Sequence, residues 1–509
     1  MTRRLLTLDA GTSGGRAAIF DAAGRLIGVA SQPWRYTTPA EAAPWGRAFD
    51  PDEFWAILCG LTRQVLAKTA TRPAEILAVS ATSQRQGIVL LDAAGEPLYA
   101  GPNMDLRGVY QAAEIDTELG PLLYRITGHR PALMFAPARL RWLREHRPDL
   151  YDRLATLLMI SDWLVYYLTG ERCSEPSAAA ESQLLDIAAG SWSETLIKAL
   201  ELPSSIFPPL RQAGEVAGRV THAAAAMTGL NAGTPVVVGG ADTQCGLLGM
   251  GIVAPGQMAA LAGWSLPLQQ VISQPPGGVC DETAQKQQTG LWFSRHLLPG
   301  RWVLESNAGP LGRSYEWLRE TVFCGADYAE LDRLAETASP GAEGAMAFFS
   351  PPSAMNETLG LAWGGLLVPL ALDFIDGRRE HLARASLESL AFAMRANLEQ
   401  LVEASGQRPD ALSLGGGLTR SRIFPQLVAD VLGLPVQVAA TPETSSAGAA
   451  MCAAVGAGLF DDLTIAATHM THDRTVCRPG RVAHAEYLDA YERWQAAQRH
   501  LTALSRSLS

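Results

Sequence analysis

At 509 residues the chain is longer than one hydrophobic core usually serves, which makes two domains the starting expectation. Its 48% hydrophobic and 18% charged residues are the balance of a globular protein, and a formal charge of -10 argues against nucleic acid or an anionic membrane surface as the main partner. The most apolar run, TPVVVGGADTQCGLLGMGIVAPG, is cut by Asp242, Thr243 and Gln244, Asp9 interrupts the N-terminal apolar stretch too early for a signal peptide, and seven scattered cysteines without a C-x-x-C suit a reduced, cytoplasmic protein lacking structural zinc.

Residues 5–8, 16–21 and 26–31 predict three short strands, each brief and rich in Leu, Ile, Ala or Phe. The first turn, DAGTSGG, sets glycines that can aim successive N–H groups one way beside the hydroxyls of Thr12 and Ser13, a concavity for an anion. Asp9 would repel a bare phosphate, so it makes sense there with Mg2+ on a nucleotide between them. An ordinary hairpin with a capping aspartate is the competing reading. A P-loop is excluded, because Lys68, Lys198 and Lys286 do not follow a glycine. G-x-G-x-x-G after the first strand and H-E-x-x-H are missing, and His469 and His472 read as surface residues.

Further along, ILAVSATSQRQGIVLLDAAGEPL predicts strands, while MFAPARLRWLREH and ATLLMISDWLVYYLTG predict helices with Trp142 and Trp163 in the core. TPVVVGGAD reads as a buried strand ended by two glycines. Asp242 behind it is either a general base at a strand's carboxyl end or the N-cap of the next helix. GQMAALAGWSLPLQQVI is an apolar segment broken at residues 263–265, and HLARASLESLAFAMRANLEQLVEASG predicts a helix stopped by Gly406. ALSLGGGLTRSRIFPQLVADVLGLPV reads as strand, triple glycine, a helix from about Ser421 and a short strand, before a helical tail. A phosphate turn, a nucleotide element and a carboxylate between the halves together suggest phosphoryl transfer, which depends mostly on positioning and electrostatics.

In order, LDAGTSGGRAAIFD, MFAPARLRWLREH, VVVGGADTQCG and LSLGGGLTRSRIFPQLVADVLGLPV resemble the phosphate, signature, catalytic-base and adenosine segments of the FGGY carbohydrate kinases, in the actin, hexokinase and Hsp70 superfamily. The resemblance implies an α/β protein of two ribonuclease-H-like domains, residues 1–245 and 246–509, with ATP and a small sugar in the cleft between them. It assigns Mg2+ to Asp9, phosphates to Thr12, Ser13, Arg16, Gly263 and Ser265, and adenosine to Gly415, Gly416 and Gly417. Asp242 would deprotonate the sugar hydroxyl, and Arg85, Gln86 and Asp105 would contact the sugar, which SQRQG and NMDLR flank. No nucleic-acid or membrane partner is implied, and a homodimer is allowed.

Three departures stand out. Arg139 replaces the usual lysine of the signature, Trp264 stands in the usual Gly-Thr-Ser turn, and FFSPPSAMNETLGLAWGGL lacks the Glu-Arg-Thr-Pro run of xylulokinases and relatives. The acceptor implied is a short ketose such as xylulose. QRQG in place of Gln-Met-His-Gly, with SATSQRQGIVL, MISDWLVYYLTGE and GWSLPLQQVI, resembles instead the autoinducer-2 kinases, whose acceptor is a linear dihydroxy-pentanedione. A sugar- or nucleotide-sensing protein with impaired catalysis is the reading from another class, opened by Trp264.

Overall fold

Alternating apolar residues put the first strand, Arg4–Ala10, between two layers: Leu6 and Leu8 face one core, Leu5 the other. It pairs antiparallel with Gly14–Asp21, which pairs antiparallel with Leu26–Pro33. On its other side Ile76–Ser83 runs parallel, followed by parallel Pro235–Ala241 and the edge strand Val216–Arg219. This computed structural model describes residues 3–274, 290–349, 364–371, 374–375, 378–472 and 474–508.

Both faces of the six-stranded sheet are covered, which is why its central strands read as continuous apolar runs. Helix Pro51–Lys68 lays Leu58, Leu61 and Val65 on one face. The other face receives helices Thr444–Gly456 and Leu463–Met470 from far along the chain, with Ala450 and Ala454 clustered with Ala18, Phe20 and Ala78. Small residues allow this close approach; a Cβ on Gly448 would lie 1.8 Å from the Cys245 carbonyl oxygen.

A seven-stranded sheet forms the second half in the order Trp292–Arg295, Trp302–Ser306, Leu268–Ile272, Met258–Leu261, Leu412–Gly415, Val436–Val438, Thr475–Cys477. The long helix Arg379–Ser405 contributes Leu390, Met394, Leu398 and Leu401 to its core. Gly406 stops that helix at φ 67°, its N–H bonding the Val402 carbonyl. Tail helix Arg481–Leu508 packs Tyr487, Tyr491 and Trp494 around Phe392.

Three local expectations give way to tertiary context. Residues 156–159 form the strand Thr156–Met159, paired with Ile88–Leu91, and only Ile160–Thr169 is helical. Gly239 and Gly240 lie inside strand Pro235–Ala241 rather than ending it, where the pairing shifts register and a Cβ on Gly239 would lie 2.0 Å from the Ala81 carbonyl oxygen. The helix after the triple glycine starts at Phe424, not near Ser421; a 3-10 turn, Gly417–Arg420, intervenes, and Ser421 accepts the Phe424 N–H while donating to Asp332. Trp142 and Trp163 are buried in the core.

Candidate active site

Strand register brings the two sequence-selected carboxylates to one edge. Asp9 sits opposite Thr82 and Ala241 opposite Ser83, so Asp9 and Asp242 end parallel strands on either side of Ile76–Ser83. Two strand spacings put their backbones roughly 10 Å apart. Both line a cleft of about 810 Å³ that is also walled by the second half through Gly263, Trp264, Glu305 and Gly416.

Asp242 is the first residue of helix Asp242–Gly249, and Ala241 occupies the cap position with no side-chain bond to the helix. The carboxylate is therefore not the N-cap. Its Oδ1 is buried with no hydrogen-bond partner. Burial pushes its pKa up to about 7, Arg85 opposes this, and the Asp9 charge adds to it. A buried carboxyl poised near neutrality beside glycine-rich turns is suited to proton abstraction.

Asp9 accepts from Arg16 Nη1 at 3.1 Å through Oδ2, while Oδ1 is buried without a partner. Burial raises its pKa, against the pull of Arg16 and with the push of Glu443. Arg16 also lies 3.4 Å from Glu443, which accepts from Arg420 at 3.0 Å. A free, oxygen-only lone pair on Asp9 fits a hard cation such as Mg2+. Among the described residues no three His, Cys, Asp or Glu side chains converge as a metal cage, so such an ion would take its other ligands from phosphate and water.

The first turn is held in shape from below. The Gly11 N–H bonds the Gly14 carbonyl at 3.1 Å, Tyr36 donates to the Thr12 carbonyl at 2.7 Å, and Asn103 Nδ2 donates to Thr12 Oγ1 at 2.9 Å. Thr12, Ser13 and Arg16 all line the cleft, with Ser13 exposed. On the opposite wall, Gly263 and Ser265 flank Trp264, and the Gly263 N–H bonds the Ser265 carbonyl at 3.0 Å.

The triple glycine is stitched to that second turn. The Ala262 N–H bonds the Gly415 carbonyl at 2.8 Å and the Leu418 N–H bonds the Ala262 carbonyl at 3.1 Å. Gly416, at φ 93°, has no room for a Cβ, which would sit 2.7 Å from the Ala262 carbonyl oxygen. Gly416 and Gly417 line the cleft; Gly415 lies behind them, facing Thr444 and Met250. Gly416→Ala should destabilise the protein by about 1–3 kcal/mol and weaken nucleotide binding, read as a lower Tm and a smaller nucleotide-induced rise in Tm.

On another flank of the cleft, Arg85 and Gln86 line it with Asn103 and Trp292. Arg85 forks onto Glu305 at 2.5 and 2.8 Å, and Gln86 Nε2 donates to Glu181 at 2.5 Å. Gln86 adopts φ 60°, and fully buried Arg139 grips its carbonyl at 2.7 Å, the Met134 carbonyl at 2.8 Å and the Asp105 carbonyl at 3.1 Å. The Arg139 guanidinium, in place of the usual lysine, thus braces the loop that carries Gln86 through three carbonyls. Asp105 does not line the cleft. Fully buried, its carboxylate is occupied by the Tyr99 hydroxyl, Arg107 Nε at 2.7 Å and the Arg47 N–H at 2.7 Å, so it supports the wall instead of facing a ligand.

Sequence reading missed Glu181, Glu305 and Glu443. The available signal was weak: Glu305 is the one charge in the apolar strand Trp302–Ser306, and the other two sit in small-residue segments. Residues 350–363, which hold most of the stretch compared with the Glu-Arg-Thr-Pro run, lie outside the described residues. His469 is exposed and His472 half-buried, and among the described residues no helix is long and apolar enough to cross a membrane.

Comparison with known proteins shows the family. Residues 4–249 match the N-terminal domain of the FGGY family of carbohydrate kinases and residues 281–457 its C-terminal domain. The chain is 34% identical to an autoinducer-2 kinase of Salmonella paratyphi B, over 98% of this chain and 95% of that one. The crystal structure of xylulose kinase from Rhodospirillum rubrum superposes with a TM-score of 0.82 at 27% identity, covering 99% of this chain and 100% of that one; a xyloylose kinase from Brucella ovis gives 0.83 at 26%, with the same coverage. With two family domains in order and a shared cleft between two sheets, the chain belongs to the FGGY family of carbohydrate kinases, phosphotransferases that act on a sugar alcohol group.

Proposed function

We propose that the protein transfers the γ-phosphoryl of ATP to a hydroxyl of a short, uncharged polyhydroxy carbonyl compound, with Asp242 as the base. The observation that carries this is the pair of strand-end carboxylates in one cleft, each with a buried oxygen left unpartnered. Asp242 takes the acceptor proton on Oδ1. Arg16, Thr12 and Ser13 face the phosphates from the first half, and Gly263 and Ser265 from the second. Gly416 and Gly417 leave flat backbone for the adenosine. Asp9 would hold the Mg2+ carried by the nucleotide, an ion that, when bound, offsets phosphate charge. The working halves are residues 1–245 and 246–509, with helices Thr444–Gly456 and Leu463–Met470 lent to the first sheet.

For the acceptor we favour the linear dihydroxy-pentanedione over xylulose. Identity to an autoinducer-2 kinase reaches 34% along nearly the whole chain, against 27% to the Rhodospirillum rubrum xylulose kinase, and QRQG supplies an amide where an imidazole is usual in xylulokinases. ADP release measured with the dione, xylulose, other pentuloses and polyols tests this. The dione should give a kcat/KM at least about tenfold above xylulose. The reverse order would make the enzyme a ketose kinase, and no release with any acceptor would overturn the kinase reading.

A further inference from the structure

The acceptor wall presents one guanidinium to the cleft, and the chain has already answered its charge. Arg85 gives its fork to both oxygens of Glu305, and its Nη1 lies 3.6 Å from Glu181. The three side chains are 7%, 2% and 0% exposed. A two-point fork of this kind is strong and directional.

The two carboxylates are also anchored independently of Arg85. Glu181 accepts from Gln86 Nε2 at 2.5 Å and Ser294 Oγ at 3.1 Å, and faces His129 Nε2 at 3.7 Å. Burial alone would raise its pKa, yet Arg85 and His129 hold it down at about 2, so it is ionised. Glu305 accepts from Gln269 Nε2 at 2.7 Å and Asn307 Nδ2 at 3.2 Å. Neither carboxylate is positioned to swing aside for a competing anion. Behind this wall Arg139 is committed to three carbonyls and Arg107 to Asp105.

We propose that Glu181 and Glu305 are specificity residues that restrict the kinase to uncharged acceptors. With its charge matched twice over, Arg85 can still hydrogen-bond a hydroxyl or carbonyl oxygen but offers no unpaired cation to a sugar acid. An entering carboxylate would instead lose its water beside Glu181, Glu305 and Asp242, a like-charge arrangement that discriminates by repulsion. This rests on the kinase reading above and adds to it the residues that choose the acceptor class.

The test uses the full chain and matched five-carbon compounds, xylulose and xylitol against xylonate, by ADP release and by thermal shift with a non-hydrolysable nucleotide. Wild-type protein should turn over xylonate with a kcat/KM at least about 100-fold below the better neutral compound, and xylonate should not raise Tm. Glu305→Gln should narrow that ratio at least about tenfold, by raising the rate on xylonate as well as lowering the neutral rate, and Glu181→Gln should do the same where the first variant does not fold. Wild-type rates on xylonate within about tenfold of the neutral compound would overturn the proposal, as would an unchanged ratio in a folded variant. If no compound is phosphorylated but the neutral ones alone raise Tm, the kinase reading fails while the selectivity stands.

Discussion

Asp242→Asn is expected to lower turnover by about 10²–10⁴-fold while leaving nucleotide affinity near wild type, the range for losing a positioned general base. Asn keeps the shape and the Oδ1 position but cannot take the proton. The same substitution should make the protein more stable at pH 8. The Asp242 carboxyl is raised to about 7 in the folded state, chiefly by burial, from 3.8 in an ordinary setting. Between about pH 4 and pH 7 the folded chain therefore holds a proton that the unfolded chain has released, and stability from this group falls as pH rises through that window. Linkage caps the effect at about 4 kcal/mol, and partial opening to the cleft makes the observed gain smaller. At pH 5 the folded acid is neutral but the unfolded one is already largely ionised, so the gap should be smaller than at pH 8 and should close only below about pH 4, where the carboxyl is neutral in both states. Wild-type kcat/KM should fall as pH drops below about 7, where the base becomes protonated. A variant with near-native turnover would remove Asp242 from the chemistry.

Arg85→Ala is expected to cost about 3–5 kcal/mol of stability and most of the acceptor binding. Removing it leaves Glu181 and Glu305 as two buried carboxylates without their shared cation, and breaking a buried pair from one side is far more costly than replacing both. Because Arg85 follows a strand of the first sheet and Glu305 lies in the second, the loss should also loosen the contact between halves. Pairing Arg85→Ala with Glu305→Gln should restore part of the Tm but not the activity. Urea unfolding and acceptor KM on the three proteins measure this; a single variant as stable as wild type would show that the fork contributes little.

The interplay of Arg16, Asp9 and Glu443 suggests how nucleotide charge enters the site. Arg16 is shared between two carboxylates, one of them Asp9 with a spare lone pair. Phosphate oxygens would compete for the guanidinium while a cation occupies Asp9, so that both charges exchange partners without being left bare.

What the amino-acid order determined by itself was local: short alternating strands around DAGTSGG, the helix ended by Gly406, and the glycines and carboxylates that mark phosphoryl transfer. Those features depend on neighbours a few residues away, through side-chain period, left-handed backbone and capping, so they can be read from a line of letters. Tertiary structure alone decided that Asp242 is not a cap, that Asp105 braces the wall instead of facing the cleft, and that residues 156–159 join a sheet. It also supplied Glu305, 220 residues from Arg85, and Glu181, 96 residues beyond it. A buried ion pair has no periodic signature, because its partners are selected by three-dimensional proximity in a low-dielectric space that exists only after both sheets have closed around it.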